Sequence, residues 1–138
     1  MAVYIDEKSR LFTLETENST YQMKADSYGF LLHLYYGKKT AGSMEYLLTY
    51  HHRGFSGNPY DADKDRTYSM DALPQEYPVW GNGDYRSACM EVRMADGSFG
   101  CDLRYQGHSV RDGKYELPGL PAVYAGKSQA QTLEIYMT

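Results

Sequence analysis

Cysteine, phenylalanine, tryptophan and long apolar runs are all scarce in this 138-residue chain, and each scarcity closes off a class of protein. The only two cysteines, Cys89 and Cys101, flank an Asp96-Gly97 turn. A two-residue hairpin there sets Cys89 opposite Arg104 and Cys101 opposite Val92, so the sulfurs are not cross-strand partners and no disulfide is expected. Two lone thiols also make no zinc site without help from histidine. The longest apolar stretch, around residues 30–36, is interrupted by His33 and is far too short to span a bilayer. No positively charged leader precedes an apolar run, which makes a cytoplasmic location the expectation. Formal net charge is only −4, with both signs scattered along the chain. A nucleic acid or an anionic membrane needs a clustered basic patch, so neither is expected as a partner. The chain also has no Gly-x-Ser-x-Gly elbow, no phosphate loop and no amphipathic stretch of three helical turns.

What is present is tyrosine, fifteen against four phenylalanines, on a mostly two-residue hydrophobic period. Tyrosine suits a pleated surface whose side chains are half buried. Residues 11–16 alternate and turn at Glu17-Asn18; residues 21–25 run back with Tyr21, Met23 and Ala25 on one face. After a turn at 27–29, residues 30–36 are apolar enough to be buried on both sides. Residues 85–94 and 99–105 are expected to pair as a hairpin through Asp96-Gly97, and residues 110–117 to turn at Asp112-Gly113. Pro118 to Pro121 break the chain, a short helical turn suits residues 125–131, and residues 132–137 form a last strand. The pattern predicts one all-β domain over residues 1–138, an antiparallel β-sandwich. That last strand stops at Thr138 with an apolar edge and no capping loop, as expected of a piece of something longer.

Two stretches break the period. Residues 51–71 hold Gly54, Gly57, Pro59 and the acids Asp61, Asp63 and Asp65, and a connection this long is usually functional or disordered. A calcium loop wants Gly at its sixth position and Glu at its twelfth, where this chain has Arg66 and Ala72, so the three acids read as solvated loop carboxylates. His51 and His52, if on a strand, point to opposite faces, one buried and one exposed, which does not make a metal site. Neither a metal nor a cofactor is expected.

The second stretch, residues 73–86, reads LPQEYPVWGNGDYR. Pro74 and Pro78 fix φ while Gly81 and Gly83 permit positive φ, so the segment is a rigid, irregular loop. Tyr77, Trp80 and Tyr85 with Glu76, Asn82, Asp84 and Arg86 suit either a sugar site or a structural lock. Glycoside hydrolysis generally needs two carboxyl groups about 5–10 Å apart. Glu76 and Asp84 are the one tempting pair, but Arg86 and nearby backbone donors are placed to tie them down, and no catalytic residue is assigned.

The series His33-Leu34-Tyr35-Tyr36-Gly37, Leu73-Pro74-Gln75-Glu76-Tyr77-Pro78 and Gly81-Asn82-Gly83-Asp84-Tyr85-Arg86 resembles the amino-terminal domain of family 36 α-galactosidases (melibiases). Gly113-Lys114, Gly119-Leu120-Pro121-Ala122 and Thr132-Leu133-Glu134-Ile135 continue the likeness in order, across nearly the whole chain. The resemblance implies a large β-supersandwich, of which this chain supplies about the first half, followed by a (β/α)8 barrel carrying two catalytic aspartates of a retaining mechanism. The family's Lys-aromatic-Asp nucleophile motif is absent, and Lys24-Ala25-Asp26 does not match it, so the chain alone is expected to be inactive. Such enzymes often form tetramers in which the sandwich overhangs a neighbour's active site. The likeness places that overhang at residues 52–66, with Arg66 reaching the neighbouring sugar and His52 standing where the family carries Asp. It also makes Glu76, Trp80, Asp84 and Arg86 structural or domain-interface residues. The implied function is hydrolysis of terminal α-galactosides by a parent enzyme. A stand-alone carbohydrate-binding module using Trp80, Tyr77 and the loop acids, or a purely structural interaction domain, are the alternatives.

Overall fold

A computed structural model describes residues 2–52, 54, 58–116, 118–120, 125 and 129–138. Its architecture is all-β and antiparallel. Strands β1 (Ala2–Asp6), β2 (Leu11–Glu15), β3 (Ser19–Ala25) and β4 (Leu31–Lys38) form a meander in chain order, and β5 (Tyr105–Asp112) pairs with β6 (Gln131–Met137) in a second sheet. Beyond the strands, the described residues carry only two single-turn 3-10 segments, Glu45–Leu47 and Tyr60–Ala62.

The hairpins close on side-chain caps. The Asp6 carboxylate accepts from the amides of Lys8 and Ser9, and Thr16 Oγ1 accepts from Asn18 and Ser19. Between β3 and β4, Asp26 serves as the cap. One of its oxygens accepts from the Tyr28 and Phe30 amides at 2.9 Å each, and the other accepts from the Tyr68 hydroxyl. That last bond ties the turn to a residue 42 positions away.

Alternation along these strands builds two cores. Phe12, Ala25 and Leu31 share the face of the meander that meets Tyr105, Leu133, Ile135 and Met137 of the second sheet. The Phe12 ring lies 5.9 Å from that of Tyr105 and 5.2 Å edge-on from that of His108. Phe30 and Leu32 take the other direction and pack with Ala62, Tyr68, Met70 and Leu73 of the long connection. The sheet beginning at β1 is thus covered on one side by β5–β6 and on the other by irregular chain. Two polar residues, Thr20 and Gln22, are buried on the irregular side. Gln22 is satisfied there by the Gly42 carbonyl at 2.8 Å and the Met44 amide at 2.9 Å, and Thr20 by Thr40.

Three sequence expectations need correction. The Asp96-Gly97 turn closes, with the Met94 amide donating to the Ser98 carbonyl at 2.9 Å, but its flanks form no ladder. Their amides are taken by the 78–80 segment instead: Cys89 donates to the Pro78 carbonyl and Cys101 to that of Trp80. Both thiols are free, although the pairing used to place them does not occur. Beyond Asp112, residues 114–116 do not fold back as a strand, because β5 finds its partner in β6 across a long separation. His51 and His52 are both exposed and lie outside any strand. Strand β1 was not anticipated; of the helical turn expected at 125–131, residues 126–128 lie outside the described residues and Gln131 already belongs to β6.

Asp26→Ala removes the acceptor for two amides and a buried hydroxyl at once. It is expected to cost about 2–4 kcal/mol, read as a lowered urea midpoint of the chain. A midpoint within error of the native chain's would show that this cap is dispensable.

Candidate functional site

The breaker-rich loop is stitched to β4 by its own backbone. The His33 amide donates to the Pro74 carbonyl at 2.7 Å and the Glu76 amide to the Leu31 carbonyl at 2.9 Å, with Gln75 bridged to Leu32. Proline at 74 and 78 costs nothing there, since neither position needs to donate to this short ladder.

Asp84 is the loop's electrostatic centre, and its side chain is fully buried. Arg86 donates to it through Nε at 2.9 Å and Nη2 at 2.7 Å, and the Gln75 amide nitrogen donates at 2.8 Å. The remaining reach of Arg86 goes to the Met70 and Leu73 carbonyls, at 2.9 and 2.6 Å. Burial alone would raise the Asp84 carboxyl, but the Arg86 hydrogen bonds and charge outweigh it and hold the group below the usual carboxylate range. Such a carboxylate stays ionised and bound, and is no proton donor near neutrality.

Glu76 is held by a different set. The Tyr21 hydroxyl donates to its Oε1, and His33 Nδ1 lies 2.9 Å from the same atom. Burial first and the adjacent Glu76 second push the Tyr21 phenol up. Tyr21 and Glu76, with Tyr77, border a cavity of about 460 Å³ between the two sheets, walled otherwise by apolar residues such as Met23, Leu31, Leu133 and Ile135. Most of its walls are apolar and its one carboxylate, Glu76, is already held by Tyr21 and His33, whereas a sugar needs convergent free polar groups.

Aromatic groups of the loop remain outside. Trp80, Tyr77 and Tyr85 are 42%, 49% and 81% exposed. Trp80 and Tyr85 flank a shallow cleft of about 390 Å³ floored by Gly81, Gly83 and Asp84. Gly81 cannot be replaced: its φ is +106°, and a Cβ there would lie 2.8 Å from the Gly100 Cα.

Arg66 and His52 sit on the other irregular stretch, both exposed. They converge on one residue. Arg66 Nη2 donates to the Gly54 carbonyl at 2.8 Å, and the Gly54 amide donates to His52 Nδ1 at 3.2 Å. Asn58 closes the base of this stretch by donating to the carbonyls of Asp65 and Tyr68 at 2.9 and 2.6 Å. The three loop acids are exposed, but two are engaged: Asp61 faces Arg104, and Asp65 accepts from the Thr67 amide and hydroxyl. Among the described residues no group of three acidic, histidine or cysteine side chains is arranged to hold a metal.

Sequence reasoning therefore found the loop but not its partners. Tyr21 and His33, whose bonds to Glu76 span 55 and 43 positions, were missed as partners of this loop, and Arg104, 43 positions from Asp61, was missed as a partner of the other stretch. Gln75 was legible only as a neighbour of Glu76.

Comparison with known proteins adds an independent line. The sequence profile of the Glycosyl hydrolase family 36 N-terminal domain matches residues 29–138. The chain is 54% identical over 137 residues to the bifunctional α-galactosidase/sucrose kinase AgaSK of Mediterraneibacter gnavus, covering 99% of the chain and 15% of that protein. It is 38% identical over 141 residues to the α-galactosidase AgaA of Geobacillus stearothermophilus, covering 99% of the chain and 19% of that protein. Among solved structures, the galactosidase domain of AgaSK superposes with a TM-score of 0.95 at 54% identity, covering 99% of this chain and 19% of that one. The α-galactosidase AgaB of Geobacillus stearothermophilus superposes with a TM-score of 0.88 at 40% identity, covering 99% and 18%. The chain thus spans less than a fifth of the length of these relatives.

Asp84 also makes a pH prediction. Its folded pKa lies below its unfolded value, so the stability it confers is complete above about pH 4 and is lost as pH falls through the depressed value. Asp84→Asn should be less stable than the native chain by about 2–3 kcal/mol at pH 7, with the gap closing below pH ~4. Urea melts followed by the fluorescence of the single tryptophan, Trp80, read this directly; a gap that is constant with pH would contradict it.

Proposed function

Since the chain belongs to the family of glycosyl hydrolase family 36 N-terminal domains, we propose that it is the non-catalytic amino-terminal part of an α-galactosidase acting on terminal α-galactosides. In this reading residues 1–138 form one β-sandwich unit, and the catalytic barrel is supplied by other residues of the parent protein. The parent works in the cytoplasm as a homo-oligomer, a tetramer. The observation that carries the reading is the commitment of both loop carboxylates. Asp84 is fully bound by Arg86 and Gln75, and Glu76 by Tyr21 and His33. A retaining glycosidase needs one carboxylate free to attack and one acid free to donate, and this loop offers neither.

The 73–86 loop then acts as a brace. Its observed bonds run within the chain, to Met70, Leu73 and β4, and leave Trp80 and Tyr77 outward for contact with the barrel. The 52–66 stretch contributes the rim of a neighbouring subunit's active site. Arg66 suits that role because its planar fork can donate to adjacent sugar hydroxyls without titrating. His52 belongs to the same rim, its Nδ1 accepting from the Gly54 amide whose carbonyl Arg66 holds.

The exposed Trp80–Tyr85 cleft favours a second reading, a carbohydrate-binding module. Titrating the chain with galactose and melibiose separates the two. No measurable binding is expected, and millimolar or tighter binding that is lost in Trp80→Ala would favour the module.

Two outcomes are expected from kinetics. The 138-residue chain should not hydrolyse an aryl α-galactoside, and turnover by it would refute the non-catalytic assignment. In the full-length enzyme, Arg66→Ala should raise KM roughly tenfold, the loss of about 1.4 kcal/mol of hydrogen bonding to substrate, while kcat and thermal midpoint hold. Unchanged kinetics would remove Arg66 from the rim.

A further inference from the structure

Arg104 immediately precedes β5, and its guanidinium is held by the β3–β4 turn and the long connection. Its Cζ sits 3.9 Å over the ring of Phe30, itself buried in the core shared with the long connection. One edge of the fork is fixed by Asp102, with Nε and Nη2 at 3.0 and 2.8 Å from the same oxygen. At the opposite end Nη1 donates to the Tyr28 carbonyl at 2.7 Å and to Asp61 Oδ2 at 3.1 Å. Stacking and three of these four bonds orient the guanidinium before Asp61 is considered. The Asp61 contact therefore costs little further side-chain entropy, unlike a pair formed by two free surface residues.

What Asp61 belongs to gives that contact its consequence. It lies in the Tyr60–Ala62 turn, whose Ala62 is buried against Phe30 and Tyr68. Asp63, next in sequence, has φ 45° and ψ −110°, a conformation that a side chain bearing a Cβ adopts at a cost of about 1–3 kcal/mol. Such backbone persists only where its surroundings over-determine it. The Asp65 amide closes onto the Ala62 carbonyl at 2.8 Å, and Arg66 follows directly. We propose that Arg104, through Asp61, is the positioning residue that holds residues 58–66 in register and so sets where Arg66 is presented. Arg104 touches no substrate. It acts through the turn, and its kinetic consequence rests on the rim reading of Arg66 given above.

The test uses Asp61→Asn and Arg104→Lys in the full-length enzyme. The first removes a charge from an exposed side chain, and the second keeps charge but loses the fork and the stacked plane. Amide hydrogen exchange across residues 58–68 is expected to accelerate about threefold to tenfold in both, with β2 to β4 unchanged. KM is expected to rise by a similar factor with kcat within about twofold, and Asp61→Asn should add nothing to the KM of Arg66→Ala. If exchange across 58–68 is unchanged in Asp61→Asn, Arg104 does not hold the segment, whatever Arg66 does. Accelerated exchange with native KM, while Arg66→Ala still raises KM, overturns positioning and leaves the rim reading standing. Accelerated exchange where Arg66→Ala itself is silent supports the hold and overturns the rim. Should Arg104→Lys fail to fold, Asp61→Asn alone decides each outcome.

Discussion

Consecutive residues at the start of β4 feed two different cores, and this arrangement organises the molecule. Leu31 points with Phe12 and Ala25 toward β5 and β6, while Phe30 and Leu32 point the other way, into Tyr68, Met70 and Leu73. A one-residue slip of the strand would exchange the two sets and empty both cores. Register is therefore over-specified here, by burial on each face and by the Asp26 cap at the turn. The irregular connection can dispense with secondary structure because it packs on a wall whose position is already decided.

On that wall the chain places two irregular stretches with opposite characters. Residues 73–86 are bound inward: backbone bonds to β4, a buried Asp84, and an Arg86 that also collects two carbonyls. Among the described residues of the other stretch, those from 58 to 66 are bound at their base and present Asp63, Lys64 and Arg66 outward. Asn58, Ala62 and Asp61 anchor the base, whereas Arg66, itself exposed, closes on the Gly54 carbonyl. A brace and a presented loop need different chemistry. The first needs satisfied buried charge, and the second needs a polar tip on a fastened base.

Much of the fold was legible from alternation. Strands β2, β3, β4 and β6 follow apolar patterns of clear period, but the two-faced burial expected of residues 30–36 holds for Phe30 to Leu32 and Leu34, whereas Tyr36 is exposed because the covering chain stops short of it. The hairpin at Asp96-Gly97 was misread for a physical reason. Its turn signal is local and correct, but a ladder requires free backbone donors, and those of Cys89 and Cys101 go to the carbonyls of Pro78 and Trp80. Strand β1 has weak alternation of its own and forms because β2 offers an edge. At the site, the density of prolines and glycines marked the rigid loop. The identities of Tyr21, His33 and Arg104 as its partners and those of its neighbour did not show, since no spacing rule links residues so far apart.

Pattern and motif order in the chain were enough for an all-β fold, the irregular loop of residues 73–86 and the family to which the chain belongs. These depend on local torsional limits, two-residue periodicity and motif order, all of which are written in neighbouring residues. It took the folded chain to show that Glu76 is held by Tyr21 and His33, that His52 and Arg66 meet at Gly54, and that Arg104 reaches the turn before Arg66. Whether a carboxylate can do chemistry depends on which donors fold against it: for Asp84 the main donor is Arg86, two positions on, whereas those of Glu76 arrive from 43 and 55 positions away.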